Sequence, residues 1–216
     1  MAVSIQTRTL GLWGAGASAL CSAAYTIAQL GEWLGWLGSA GGPGAQSTPL
    51  GIMVLLLPSL ILGPAWVATL AAIAAAVPRG AKGVALAALA LGSMYAALTG
   101  LVYFVQITFV APRLAGGAVT GIELLLFVPY RSFLFAIDLY GYSLMCASAA
   151  LAGWAVHGHA ALGRARLWLW LTGLLTPALA LQMTFPWLIW AGSLWGVSFP
   201  LASLLLWRSF AELKPG

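Results

Sequence analysis

Asparagine is missing from this chain, aspartate occurs once, as Asp138, and charged side chains make up only 6% of the 216 residues. Each scarcity excludes something. Without Asn there is no N-glycosylation sequon. The two cysteines, Cys21 and Cys146, both fall inside apolar runs, where a thiol acts as a small packing residue rather than half of a disulfide framework. The two histidines, His157 and His159, sit at the edge of such a run with no carboxylate or Cys near them in sequence. They read as solvated or interfacial side chains, not as a metal site. There is no Walker loop, no Gly-x-Ser-x-Gly, no His-Glu-x-x-His and no Cys-x-x-Cys. No Lys lies inside an apolar run to form a Schiff base, and no Cys-x-x-Cys-His attaches haem. The expectation is therefore no metal and no cofactor.

What the chain has is hydrocarbon. Hydrophobic residues make up 62% of it and the mean hydropathy is +0.99. Several runs exceed the roughly 20 residues a helix needs to cross a bilayer. Barrel strands are about half that length and alternate in polarity, so the expected fold is all-α: a six-helix transmembrane bundle forming one integral membrane domain over 1–216. The expected spans are about 10–31, 50–77, 84–110, 131–156, 166–184 and 187–208. The breaks between them are the Gly/Ser/Pro loop from Gly38 to Thr48, Pro78-Arg79-Gly80, Pro112-Arg113, Gly158 to Arg164, and Phe185-Pro186. The first run continues to about Leu30 and has Leu20 in front of Cys21. A signal core is shorter and a lipoprotein cleavage box wants a small residue there, so an uncleaved first span is expected.

Six crossings put Arg8, Arg79, Lys82, Arg164, Arg166, Arg208 and Lys214 on one side, and Arg113 and Arg131 on the other. Cytoplasmic loops carry the excess of Lys and Arg, so both termini are expected in the cytoplasm of a plasma-membrane protein. An odd number of crossings would scramble this division. The net charge of +5 then reports orientation, not nucleic-acid binding. Trp33, Trp36, Trp168, Trp187 and Trp207 fall near span ends, as interfacial aromatic belts do.

Some stretches depart from the simple pattern. The run from Gly121 to Tyr130 holds Glu123 and Pro129 and is too short to span. It is expected as a short helix lying at the outer interface. Pro58 and Pro64 predict a kink in the second span. Gly31/Gly35, Gly117/Gly121 and Gly192/Gly196 have the spacing that lets helices approach closely.

Polar groups inside apolar runs are costly, which makes them the place to look for function. Residues three, four or seven apart share a helix face. Ser18, Ser22, Tyr25, Gln29 and Glu32 form such a stripe in the first span. Gly92, Tyr95, Thr99, Tyr103 and Gln106 form one in the third, and Arg131, Asp138 and Tyr142 one in the fourth, while Gln182 lies near the end of the fifth. With the expected orientation all of these converge on the extracytoplasmic half. Asp138 is the deepest ionisable group, about 10 Å below Arg131 at 1.5 Å per residue. Helical side chains lean toward the N-terminus, so Arg131 leans away from it. The candidate ligand-binding set is Asp138, Arg131, Gln106, Glu32, Tyr103, Tyr142 and Gln29.

Three functional classes follow. In the first, the polar cluster is a pocket for a small molecule or lipid head group, in a binder or carrier. In the second, the cluster glues helices in a non-catalytic accessory or structural subunit, and the Trp-rich last spans meet a protein partner or a second copy. The third is an intramembrane lipid-modifying enzyme with Asp138 or Glu32 as general base; with no nucleophile or metal motif, catalysis is the least supported. Membrane lipids are partners in every case.

Overall fold

The computed structural model describes residues 3–214, and 77% of the protein is helix. Five helical stretches are long and apolar enough to cross a membrane: Ile5–Trp33, Pro49–Ala76, Arg79–Ala115, Phe133–Ala155 and Pro186–Glu212. A helix closes its own backbone hydrogen bonds, the one requirement that lipid imposes on every segment. Hydroxyl caps start three of these stretches. Ser4 accepts from the Thr7 N–H at 3.1 Å, Thr48 from Gly51 at 3.1 Å and Ser132 from Phe135 at 3.2 Å, each satisfying a first-turn N–H that has no partner inside the helix.

In chain order the helices are α1 (Ile5–Trp33), α2 (Pro49–Ala76), α3 (Lys82–Val105), α4 (Ala111–Ala115), α5 (Phe133–Ala155), α6 (Arg166–Gly173), α7 (Thr176–Ala180), α8 (Ile189–Gly192) and α9 (Trp195–Glu212). They form a ring: α1 packs on α2, α2 on α3, α3 on α5, α5 on α6 and α7, α6 on α9, and α9 back on α1. The ring is filled rather than hollow at mid-height. Buried Trp66 of α2 donates its indole N–H to Ser148 of α5 at 2.8 Å, and its ring meets Phe199 of α9 edge-on at 4.9 Å. Glycines permit the close crossings: a Cβ at Gly14 would lie 2.7 Å from the Thr69 backbone N, and one at Gly141 2.6 Å from Thr99 Cγ2. Of the glycine pairs expected at crossings, only Gly192/Gly196 meets a neighbour that way, against Gln182 and Thr26. Gly35, Gly117 and Gly121 instead carry positive φ in turns.

Proline chemistry explains where the expected boundaries shift. The run at 166–184 is not one long helix but α6, α7 and turns. Pro177 cannot donate to the Gly173 carbonyl four residues back, and the Thr176 hydroxyl takes that acceptor at 2.7 Å. The broken segment still travels the length of the bundle. Its start lies beside His157 through Arg166 and beside Glu212 through Arg164, and its end reaches Tyr130 through Gln182. Pro112 does not end the third run either. The ladder widens into a π-helix over Gln106–Val110, and α4 follows directly, a bulge that carries the helix past the proline. Pro58 and Pro64 lie inside α2 without terminating it. In α9, Pro200 frees the Gly196 carbonyl, which accepts the Thr26 hydroxyl of α1 at 3.3 Å.

Two further expectations are corrected at the 116–132 connection. The interfacial helix near 121–130 is a single 3-10 turn, Glu123–Leu125, preceded by turns and followed by an extended residue, Leu126; Gly121 and Pro129 leave too little room for more. The fourth long helix starts at Phe133, capped by Ser132. Arg131 therefore lies on the turn before α5, exposed, and shares no helix face with Asp138.

Candidate functional site

Antiparallel neighbours bring chain-distant helix ends to one level. The C-terminal part of α1, the start of α2, the upper part of α5, the end of α7 and the α8–α9 junction surround a cavity of about 180 Å³. The 34–48 loop folds over it. Thr48 donates to the Leu37 carbonyl at 2.7 Å, the Gly42 N–H donates to Trp33 O at 2.8 Å, and Gly42, Pro43, Ala45 and Ser47 line the cavity from above. Gly41 and Gly42 both have positive φ, at 76° and 83°, which allows the tight reversal.

Of the seven candidate residues, Gln29, Glu32, Asp138 and Tyr142 line this cavity. Glu32 is 2% exposed and neither carboxylate oxygen has a protein partner. It presses on the first turn of α2: a Cβ at Gly51 would lie 2.7 Å from Glu32 Oε2. The positive end of the α2 dipole faces this carboxylate, an electrostatically favourable placement. Asp138 is 6% exposed, and its Oδ1 is buried without a partner. Gln29 accepts from the Tyr25 hydroxyl at 3.0 Å. The Tyr142 hydroxyl is buried and unpartnered.

The other three candidates are not at the cavity wall. Tyr103 lies behind Asp138; its hydroxyl neighbours the carboxylate without a hydrogen bond of good geometry between them. Gln106 is fully buried and ties the chain together, its Nε2 donating to Leu125 O at 2.6 Å. Arg131 is outside, as described, and it does not pair with Glu123. The Glu123 carboxyl is exposed and is held below the usual carboxylate range by the backbone N–H groups of Glu123 and Gly121 beside it.

Several wall residues lie outside the candidate set. Tyr25 and Trp195 touch each other and the candidate Tyr142, with ring centroids 5.8 Å apart for Tyr25–Trp195, 6.2 Å for Tyr25–Tyr142 and 5.2 Å for Tyr142–Trp195. Trp195 reads in sequence as one of many lipid- or partner-facing aromatics; its mid-run position, away from the interfacial Trp residues, is the signal that could have singled it out. Gln182 is 1% exposed, donates to the Tyr130 hydroxyl at 3.3 Å and leaves its Oε1 unpartnered. Tyr130 has a φ of 61°, uncommon outside glycine. Its ring packs on Phe135 at 5.2 Å, and burial pushes its phenol up from the ordinary value. No signal in the sequence marks a left-handed tyrosine.

Chemically, the arrangement offers acceptors. No Lys, Arg, His or Cys lines the cavity, and among the described residues no three His, Cys, Asp or Glu side chains are grouped to hold a metal ion. Comparison with known protein families, with characterised proteins and with solved structures returns no match to this chain.

Proposed function

We propose that this protein is a multi-pass plasma-membrane protein that binds or carries a small molecule or lipid head group in the cavity between α1, α2, α5 and α9. One observation carries the reading: Glu32, Asp138 and Gln182 bring buried oxygen acceptors without protein partners to the wall of a single cavity. Leaving a buried polar group unpaired costs about 1–3 kcal/mol, more if it is charged. A protein retains several such groups in one place when something else bonds to them. A cluster that only glued helices would spend these atoms on each other, as Trp66 and Ser148 do.

The membrane disposition is part of the proposal. The chain crosses six times, the broken α6–α7 segment being the fifth crossing, with both ends in the cytoplasm and the cavity in the extracytoplasmic half. The contact of the Val3 N–H with the Lys214 carbonyl at 3.3 Å supports placing the two ends on one side, together with Arg8, Arg164, Arg166 and Arg208. Positive residues mark the cytoplasmic side. Single-cysteine variants at Gly80 and Gly117, in a Cys21→Ala/Cys146→Ala background, test this. An impermeant maleimide on intact cells should label the position at 117 and not that at 80; the reverse pattern overturns the orientation.

The binding reading is tested by mass spectrometry of what co-purifies in a mild neutral detergent. The expected result is a bound species retained by wild type and lost from a folded Asp138→Asn variant. If Asp138→Asn fails to fold and nothing co-purifies with wild type, the accessory-subunit reading takes its place.

A further inference from the structure

The polar atoms of the cavity wall are one-sided in character. Its unpartnered atoms are mostly acceptors: both oxygens of Glu32, Oδ1 of Asp138 and Oε1 of Gln182. Against these stand one hydroxyl, that of Tyr142, and one pure donor, the Trp195 indole N–H. A carboxylate only accepts, and a buried one is charged at least cost beside a donor-rich or positive group, so the complement of this wall is such a group.

The chain supplies no such group itself. No basic side chain lines the cavity. Arg131 is exposed on the turn before α5. Arg113 is committed elsewhere, lying 3.5 Å over the Phe109 ring and donating to the Phe109 carbonyl at 3.1 Å. Ionising two carboxyls in a low-dielectric site with no charged side chain beside them is costly, a cost that a cation offsets and that an anion or an apolar group does not.

The aromatic trio adds a second, independent preference. Tyr25, Tyr142 and Trp195 line the same cavity as the carboxylates, and clustered aromatic rings are the usual cradle for alkylated ammonium groups. The remaining wall, including Ile52, Leu55 and Leu56 along α2, is apolar, and a cavity of about 180 Å³ is larger than an ammonium group alone. Resting on the reading of this cavity as a ligand site, we infer that its ligand is an alkylammonium: a positively charged amine held between Glu32, Asp138 and the three rings, with its alkyl segment along α2. The amine belongs either to a free organic cation or to a lipid head group.

The test uses three probes with the same tail, hexyltrimethylammonium, hexanol and hexanoate, on the full-length protein in a neutral maltoside detergent, read by thermal unfolding and titration calorimetry. The cation should raise the unfolding midpoint, and the neutral and anionic probes should bind at least about tenfold more weakly, the cation–π and charge contributions being lost. Glu32→Gln and Trp195→Leu should each weaken the cation by about tenfold while leaving hexanol unchanged. If a variant does not fold, the wild-type ranking of the three probes decides alone. Equal binding of hexanol and the cation overturns the amine assignment and leaves the ligand site standing. Binding of none of the three overturns both. The source is separated in nanodiscs of phosphatidylglycerol with and without an ethanolamine-headgroup lipid. Protection by hexyltrimethylammonium that the amine lipid competes away identifies the head group; protection that it does not touch identifies a free cation.

Discussion

At the end of the bundle that carries the termini the carboxylate finds a protein partner, although Arg8 Nε and His159 Nε2 are buried without one. Arg164 grips the Glu212 carboxylate at 2.9 and 2.7 Å, Arg8 donates to the Ala211 carbonyl at 2.9 Å, and fully buried Ser209 donates to the Ala161 carbonyl at 2.9 Å. At the opposite end the carboxylates of Glu32 and Asp138 are more deeply buried than Glu212 and have no protein partner. The same kind of side chain is used in two ways. Paired and half-exposed, it tethers helix ends; buried and unpaired, it is a cost, which under the proposed function a ligand offsets.

Substitutions can break that contrast or sharpen it. The largest effect is expected where the two ends meet. Trp66→Ala removes a fully buried ring and its bond to Ser148 and should cost about 3–5 kcal/mol in reversible unfolding from mixed micelles. Next is the carboxylate at the α2 start. Gly51→Ala puts a methyl against Glu32 Oε2 and should cost about 1–3 kcal/mol; a double-mutant cycle with Glu32→Ala should recover most of that loss, whereas simple additivity would mean the two do not touch. Asp138→Asn should change stability in the other direction, raising ligand-free unfolding free energy by about 1–2 kcal/mol. A loss there would place the outer carboxylate in the same structural class as the inner one.

Effects at the terminal end are smaller. His159 accepts the Leu162 N–H at Nδ1, 3.2 Å away, and burial holds its pKa below the ordinary 6.5. The unfolded chain thus binds that proton more readily, so the contribution is present above pH 6.5 and fades as pH falls through the lower folded value. A small drop in unfolding midpoint on acidification, absent in His159→Gln, is the expected readout. Smallest is Glu212→Gln, at about 0.5 kcal/mol or less, because that pair is half-exposed and screened.

How much of this was legible in the sequence follows from range. The long apolar runs are a local property, and five of them appear as helices close to the expected bounds. The stripe rule rightly placed Gln29, Glu32, Asp138 and Tyr142 at one level, since helical periodicity is also local. It misplaced Arg131 because Ser132, directly before the helical run, acts as its N-cap and ends the face early. It could not separate Tyr142, at the wall, from Tyr103, behind it, since that depends on which way α3 is rotated against α5. The break in the 166–184 run was signalled by Pro177, but hydropathy alone outweighed it. Trp195 was marked only by its mid-run position, since its place at the wall depends on the α8–α9 junction beside α1, and Tyr130 was illegible because no residue preference predicts its backbone angle.

The bond from Thr26 to the Gly196 carbonyl gives the ring a seam. It joins the first long helix to the last, at the level where Pro200 has left a backbone acceptor for another helix to satisfy. Both residues also line the cavity. Thr26 keeps a bond to its own Ser22 carbonyl at 2.9 Å, so at this level parting α1 from α9 forfeits one long hydrogen bond, strands a single carbonyl and pulls Tyr25 off Trp195. If the cavity is a ligand site, a guest entering from the flank between these two helices would have to unfasten that seam.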